Sequence, residues 1–330
     1  MSIKLSRRSV LTAATAGTAA LAGGWMWPRP ASAAALVQAE GKPAATNPIT
    51  YKFKIGSIEA IAISDSQLQI APIHPIFAPE AKAEEVNKIL VDNFKATDSV
   101  RPEVNVLVLR KGSDVVLIDT GTGKGGRLLA GLASAGIKPS DITLIAITHL
   151  HSDHFGGLTN EAGEFAFAGA RVVTHKNEVE YWKTIPTWGD VAIPEEWKTG
   201  WKAGVGAALK AIEVKTDLVK GGDKPLPWLK FVETFGHTPG HCSLAISDGA
   251  ERAFVFGDVG HHPVFTFQKP EWTVAFDYNR KDAVASRKKT LAMLAAERTR
   301  VLAYHMPWPG VGFVKARDGA YEWVAQDWAW

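Results

Sequence analysis

Four side chains that commonly bind metal ions fall within six positions, in the segment His149-Leu150-His151-Ser152-Asp153-His154. An apolar run at 142–148 precedes them and predicts a buried strand that presents them from a rigid base. Zinc and its first-row neighbours readily accept imidazole nitrogen and carboxylate oxygen. Four such ligands are too many for one tetrahedral ion that keeps an open position. The spacing therefore predicts two ions, one facing His149 and His151 and the other facing Asp153 and His154.

The rest of the composition limits how such ions could be held. Cys242 is the only cysteine, so neither a disulfide within the chain nor a multi-cysteine zinc or iron–sulfur site can form. The sequence also contains no Gly-x-Ser-x-Gly elbow, which argues against a serine nucleophile. We therefore expect histidine and carboxylate ligands, and chemistry that depends on the ions.

The charge of the 330-residue chain gives no support for a nucleic-acid partner. Its 37 basic and 34 acidic residues give a formal net charge of +3. Residues 1–33 hold four of the basic residues and no acidic one, which leaves 33 basic against 34 acidic residues in the remainder. Binding through phosphates needs a clear basic excess. The expected partner is therefore a small molecule.

Further segments follow an order that resembles the metallo-β-lactamase superfamily, whose His-x-His-x-Asp-His signature stands at 149–154. They are Ile118-Asp119-Thr120-Gly121, Gly236-His237-Thr238-Pro239-Gly240-His241, Phe256-Gly257-Asp258 and Tyr304-His305. The resemblance implies that His237 completes the first metal site, that Asp258 bridges both ions and that His305 is the last ligand of the second ion. It also implies that Asp119 orients a ligand histidine from behind. The implied ligand set is His149, His151, Asp153, His154, His237, Asp258 and His305.

The same resemblance implies an α/β fold of the αββα sandwich type, with two sheets face to face and helices outside. Periodicity by itself predicts a mixed α/β chain. It places strands at 51–63, 104–110, 114–118, 142–148, 171–174, 229–234, 243–247, 253–256 and 301–303, and helices at 82–94, 128–135 and 282–296. No repeat or clear linker divides residues 49–330, so we expect one metallo-β-lactamase-fold hydrolase domain there.

Two positions separate the branches of this superfamily. Zinc β-lactamases carry Cys or Ser where Asp258 stands, and flavin-coupled diiron members carry Glu where His151 stands, so both activities are disfavoured. The combination of His151 and Asp258 resembles the hydrolytic binuclear branch. Within that branch, the tail 305–312 is similar to that of the methyl parathion hydrolases. We expect hydrolysis of lactones, aryl esters or phosphotriesters. The alternatives are a glyoxalase II-like thioesterase and a non-catalytic metal-binding scaffold. The first is disfavoured because this sequence lacks the basic substrate-binding pattern of glyoxalase II.

Two divalent ions per chain would share a water molecule as well as Asp258. Two positive neighbours lower the pKa of such a water enough to yield a bridging hydroxide near neutral pH, which attacks the ester or phosphoryl centre. Asp258 is a candidate to pass a proton to the leaving group, and His261, three residues further on, is a second candidate catalytic residue. Zinc is the expected metal, although the same ligands accept manganese, iron or cobalt.

Tryptophans are the expected wall of the substrate pocket. The chain has 12 of them, and several crowd a segment with Pro and Gly between two predicted strands. Aromatic side chains suit a pocket for apolar substrates. Trp182 resembles a tryptophan that lines the substrate pocket of the methyl parathion hydrolases, and Trp197 and Trp201 are the candidates for a second pocket aromatic. The loop 122–126 is shorter than in the methyl parathion hydrolases and lacks their pocket phenylalanine.

The first 33 residues resemble a twin-arginine (Tat) export signal. Arg7 and Arg8 precede a mild apolar stretch at 10–27, and Ala31-Ser32-Ala33 offers small residues for a signal peptidase. Residues 34–48 are expected to be a flexible lead-in. The interpretation implies the Tat export machinery as a partner of the precursor, and a periplasmic or secreted mature protein. The sequence is also compatible with a homodimer.

Replacing both Arg7 and Arg8 with Lys is expected to retain a longer precursor inside the cell. The Tat route carries folded proteins, which suits a chain that loads its metal in the cytoplasm. Immunoblotting of cytoplasmic and periplasmic fractions measures the precursor and the mature form. Mature variant protein in the periplasm would show that this export signal is misassigned.

Overall fold

The computed structural model describes residues 48–185 and 187–327. The predicted signal at 1–33 and nearly all of the lead-in at 34–48 lie outside the described residues, and both remain predictions. The residues from Pro48 onward belong to one compact unit. Across the described ranges, the helices are too short or too polar to span a bilayer.

Thirteen strands and seven helices alternate irregularly along the described residues. The strands are β1 (Thr50–Ile55), β2 (Ile58–Gln67), β3 (Glu103–Lys111), β4 (Asp114–Ile118), β5 (Leu144–Ala146), β6 (Arg171–His175), β7 (Thr216–Val219), β8 (Leu229–Glu233), β9 (Cys242–Asp248), β10 (Glu251–Val255), β11 (Arg300–Leu302), β12 (Val311–Arg317) and β13 (Ala320–Ala325). The helices are α1 (Ala83–Asp92), α2 (Leu128–Ser134), α3 (Ser152–Phe155), α4 (Lys176–Thr184), α5 (Glu195–Ile212), α6 (Phe265–Gln268) and α7 (Arg280–Glu297).

The strands form two sheets in which neighbours in space are neighbours in sequence. The first sheet has the order β1-β2-β3-β4-β5-β6-β7, and the second has the order β13-β12-β11-β10-β9-β8. Strands β4 to β7 pair in parallel, whereas β1 to β4 are antiparallel. In the second sheet only β10 and β11 pair in parallel.

Side chains on β3 show how the two sheets are layered. Leu107 and Leu109 join a core shared with Phe231 and Leu244 of the second sheet. The intervening residue Val108 faces the opposite way, into a core that α2 and α5 cover. A strand buried on both faces needs a continuous apolar run rather than alternation. Helix α7 covers the outer face of the second sheet, so the four layers confirm the predicted αββα sandwich.

Helix α5 is the main element that the sequence analysis missed. The segment between β6 and β7 was expected to be an irregular, tryptophan-rich insert, but residues 195–212 form an 18-residue helix. Its apolar side chains recur three or four positions apart, at Trp197, Trp201, Val205, Ala208 and Ile212, which is the helical pattern. Several glycines in the same stretch obscured that pattern.

The bounds of other elements also differ from prediction. The run 142–148 is regular strand only over β5, because its last residues already turn toward the histidine cluster. Helices α3, α4 and α6 and strands β7, β12 and β13 were not predicted. Several of these elements are only four residues long, and β7 and β13 bury few side chains, so their sequences lack a clear apolar period.

Candidate metal centre

The predicted metal ligands meet at one edge of the sandwich. In the first sheet, His149 follows β5, and α3 begins immediately after His151. In the second sheet, His237, Asp258 and His305 follow β8, β10 and β11, which all run in the same direction. The carboxyl ends of strands with one direction lie at the same edge of a sheet. The fold therefore brings together residues up to 156 positions apart, from His149 to His305.

Four of these residues form what we call the first cluster: His149, His151, His237 and Asp258. Their candidate ligand atoms lie within 4.8 Å of one another. His151 Nδ1 is 2.9 Å from His237 Nε2, and His237 Nε2 is 3.2 Å from Asp258 Oδ2. All four residues are buried. The structure thus brings together the three histidines that the resemblance assigned to one ion, His149, His151 and His237.

The other three residues form the second cluster: Asp153, His154 and His305. Asp153 Oδ2 lies 3.6 Å from His154 Nε2 and 3.5 Å from His305 Nε2. Asp258 reaches this cluster too, because its Oδ1 is 3.1 Å from His154 Nε2 and its Oδ2 is 3.2 Å from His305 Nε2. Asp258 thus contacts both clusters, as a bridging carboxylate must.

Asp119 lies behind the histidines as the sequence analysis expected. Its Oδ2 accepts a hydrogen bond from His154 Nδ1 at 2.8 Å and another from the Thr148 hydroxyl at 2.8 Å. Because Thr148 donates there, its oxygen is free to accept from His149 Nδ1, 3.1 Å away. Both imidazoles therefore direct Nε2 into the centre, since a hydrogen bond to one ring nitrogen fixes the tautomer.

His237 and His305 have similar supports that the sequence analysis missed. His237 Nδ1 donates to Asp277 Oδ1 at 2.9 Å, and His305 Nδ1 donates to the Glu103 carbonyl oxygen at 2.7 Å. His241 Nε2 accepts from the backbone N–H of Asp258 at 2.9 Å. A backbone carbonyl carries no sequence signal. Asp277 stands in no motif, so only its place in the fold reveals it.

The donor atoms themselves fit bound cations. Among the described residues, His149 Nε2, His154 Nε2, Asp258 Oδ1 and His261 Nε2 are buried and have no hydrogen-bond partner. Buried polar atoms without hydrogen-bond partners are rare and costly, and a bound ion is one common way of satisfying them. All four atoms lie at the meeting point of the two clusters. The residues present therefore fit divalent metal ions.

The electrostatics agree with that fit. Burial lowers the pKa of His149 and His151 well below the ordinary value, which keeps both imidazoles in the neutral form that binds metals. Burial opposes ionisation of Asp258, but the imidazoles of His154 and His305 hold the pKa of its carboxyl well below its usual range. Burial also opposes charge on His237, yet hydrogen bonds to Asp258 and Asp277 raise its pKa to about 9. A divalent cation would bind the same imidazole lone pair that a proton occupies in protonated His237.

A cavity of about 270 Å³ opens onto both clusters. Its floor includes His151, Asp153, Asp258 and His305, and its walls are mostly apolar. The described wall residues include Leu68, Ile70, Phe77, Trp197, Trp201 and Phe276. Reactive polar groups below apolar walls are the usual arrangement of a small-molecule site.

The structure corrects one of the three pocket tryptophans. Trp197 and Trp201 line the cavity, but Trp182 is not among the described residues that do. Its side chain is 5% exposed and lies behind His151 and Trp201, with ring centroids 6.1 and 6.5 Å away. Its indole N–H donates to Glu178 Oε1 at 2.8 Å, which turns the ring away from the cavity. Trp182 therefore supports the wall rather than forming it.

His261 does face the cavity. Its Nε2 lies 3.2 Å from Asp258 Oδ2, and its ring packs beside those of His237 and Phe276. Burial lowers the pKa of His261 to about 4, against the opposing effect of Asp258. A neutral imidazole can either donate or accept a hydrogen bond at this position.

The sandwich and the His and Asp site at its edge together support assignment of the protein to the metal-dependent hydrolases. Residues 101–305 match the profile of the Metallo-beta-lactamase superfamily, and the chain belongs to that superfamily. The predicted family is therefore confirmed.

Two solved structures show how closely the whole fold agrees. AidC, a dizinc quorum-quenching lactonase in complex with the product N-hexanoyl-L-homoserine, is 30% identical with a TM-score of 0.80; the match covers 86% of this chain and 100% of AidC. AbOPH, a hydrolase in the beta-lactamase superfamily, is 26% identical with a TM-score of 0.78, over 86% of this chain and 99% of AbOPH.

Among curated proteins, Metallo-beta-lactamase domain-containing protein 1 of Xenopus laevis is 34% identical over 113 residues. That match covers 32% of this chain and 45% of the frog protein, so the chain spans less than half of this relative.

Proposed function

We propose that the protein is a binuclear metal-dependent hydrolase of lactones and aryl esters, with phosphotriesters as poorer substrates. The observation that carries the proposal is Asp258, whose two carboxylate oxygens each lie within 3.2 Å of a histidine of a different cluster at the floor of an apolar cavity. The similarity to AidC, a lactonase, supports the substrate class. Zinc is the metal proposed, because histidine and carboxylate ligands suit it and because AidC is a dizinc lactonase.

The chain's own residues would divide the work at this site. The two clusters would hold the divalent ions, whose contribution would be to lower the pKa of a bound water molecule and to polarise the carbonyl oxygen of the substrate. Asp258 fixes the separation of the clusters, because it contacts both. His261 Nε2 points toward the same floor and can hydrogen-bond the oxygen of the leaving group. The apolar walls exclude water and hold the acyl chain or aromatic ring.

The cavity favours uncharged substrates over anionic ones. None of the described residues that line it is Lys or Arg. An anionic thioester would be expected to find basic partners in its binding site. This observation favours lactones and neutral esters over the substrates of a glyoxalase II-like thioesterase.

Removing a cavity tryptophan is expected to weaken turnover of apolar substrates. Trp197 is 41% exposed and lines the cavity, so Trp197→Ala should lower kcat/KM for long-chain lactones and aryl esters by about 10-fold, through lost apolar burial. Trp188→Ala is the matched control, since Trp188 lies in the same segment but is not among the described lining residues. Steady-state kinetics on lactones, aryl esters and phosphotriesters measure both variants.

The same assay tests His261 and the substrate ranking. His261→Leu should reduce kcat for lactones and alkyl esters more than for p-nitrophenyl esters, because a good leaving group needs less help from a hydrogen bond. Equal reduction for all esters would argue against this role of His261. Phosphotriesters as the best substrates of the unmodified protein would contradict the ranking.

A further inference from the structure

Glu178 is a buried carboxylate that the proposed chemistry leaves unused. It is the third residue of helix α4 and its exposed fraction is 0%. An acidic residue in the first turn of a helix usually lies at the surface, where its negative charge interacts favourably with the helix dipole. Complete burial of an acidic side chain is unusual and needs hydrogen bonds to be tolerated.

The hydrogen bonds of Glu178 connect two separate segments of the candidate metal centre. Its Oε1 accepts from the backbone N–H of Leu150 at 2.8 Å, and Leu150 stands between His149 and His151. Its Oε2 accepts from the Thr238 hydroxyl at 2.6 Å and from the Gly240 N–H at 2.9 Å, in the loop that carries His237. The carboxylate thus joins the two segments that supply all the histidines of the first cluster.

The surrounding packing is built closely around this carboxylate. A Cβ atom at Gly240 would lie 2.3 Å from the backbone nitrogen of Glu178 and 2.6 Å from its Cβ, so only glycine allows the loop to approach α4. The fourth hydrogen bond comes from Trp182, the indole that lies behind His151. All four donors are uncharged, so the carboxylate serves as a geometric link rather than as half of an ion pair.

The second cluster is held by other groups. His154 is held by Asp119, and His305 by the Glu103 carbonyl. The backbone carbonyl of Asp153 accepts from the Tyr304 hydroxyl at 2.6 Å. Within the described ranges, Glu178 makes no hydrogen bond to these residues. Asp119 and Thr148 together hold His149 as well as His154, whereas Glu178 contacts only the segments that carry the histidines of the first cluster.

We propose that Glu178 is the positioning residue of the first cluster. By fixing the spacing between the 149–151 segment and the 236–241 loop, it sets the affinity of that cluster for a divalent ion. The inference rests on the proposed function only in that the first cluster binds a metal ion.

Zinc affinity in single-cluster backgrounds tests this role. In a His305→Ala protein the second cluster is incomplete, and in a His151→Ala protein the first cluster is incomplete. Adding Glu178→Gln should weaken zinc binding about 10- to 100-fold in the His305→Ala background and leave it unchanged in the His151→Ala background. Glutamine keeps the size, but in either orientation its NH₂ group faces a backbone N–H that can only donate. Titration of zinc against a chelating indicator measures the affinities.

Asp65→Asn is the matched control. Asp65 is equally buried, and its carboxylate accepts from Thr122 and Leu128 in a loop that carries none of the seven proposed ligands. It should lower the melting temperature of the metal-free protein without changing zinc affinity in either background. If Glu178→Gln does not fold, Thr238→Val can replace it, because it removes one hydrogen-bond donor to the same carboxylate. It should weaken zinc binding in the same background only, by a smaller factor.

The outcomes separate this role from a general structural one. If Glu178→Gln weakens zinc binding equally in both backgrounds, or weakens it in neither, the positioning role of Glu178 is overturned. The proposed function stays intact in both cases. An unmodified chain that binds no zinc would instead refute the proposed function, and the role of Glu178 with it.

Discussion

Replacing Asp258 with Ala is expected to abolish hydrolysis and to reduce the bound metal from two ions per chain to one or none. The carboxylate contacts His154 and His305 on one side and His237 on the other, so one substitution removes a ligand from both sites. We expect kcat/KM to fall by at least about 10³-fold, or ~4 kcal/mol of transition-state stabilisation. Elemental analysis and kinetics on an aryl ester measure the two effects.

A surface carboxylate provides the control for Asp258. Asp248 accepts hydrogen bonds from Ser57 and Lys111 in the turn between β9 and β10, at the opposite edge of the sheet. Asp248→Ala should retain both ions and full activity. If fully active unmodified protein contains a single ion, or if Asp258→Ala keeps two, the binuclear proposal is wrong.

Removing the ions is expected to lower the melting temperature by about 10 °C. A ligand that binds only the folded state stabilises it by about 4 kcal/mol when its free concentration is about 1,000 times its Kd. For a chain of this size each kcal/mol corresponds to about 2 to 4 °C. The metal would also satisfy the buried Nε2 atoms of His149 and His154, which otherwise lack hydrogen-bond partners. Thermal unfolding followed by circular dichroism, with and without a chelator, measures the shift.

Asp258→Ala supplies the internal control for that experiment. Since its sites are incomplete, chelation should change its melting temperature little. Identical unfolding of the unmodified protein before and after complete metal removal would show that the clusters contribute no binding energy to the fold.

The sequence was most informative where residue type and position in an element coincided. The segment 149–154 and the motifs at His237, Asp258 and His305 each follow a strand, and the resemblance to the superfamily implied that they meet. The αββα layering also followed from the resemblance, and the apolar runs of β3 and β4 were consistent with it. Asp119 was found because it stands in a motif of the superfamily, directly after β4.

Other features depended on contacts that no local pattern encodes. Glu178 resembles an ordinary helix-start acid, and only the arrival of the loop at Gly240 makes it a link. Trp182 and Trp201 are alike in sequence, but they lie on α4 and α5 and face different sides of the same wall. The packing of α4 against α5 decides which tryptophan borders the cavity. Neither hydropathy nor residue type reveals that packing.

The division of the seven proposed ligands between the two sheets has a kinetic consequence. Residues 149–154 come from the first sheet, whereas His237, Asp258 and His305 come from the second. Neither half of the chain holds a complete site, so the centre closes only after the halves dock during folding. A folded chain can exchange its ions through the cavity, which opens onto both clusters without separation of the sheets. We therefore expect docking of the halves to limit metal uptake during refolding, and not uptake by folded, metal-free protein.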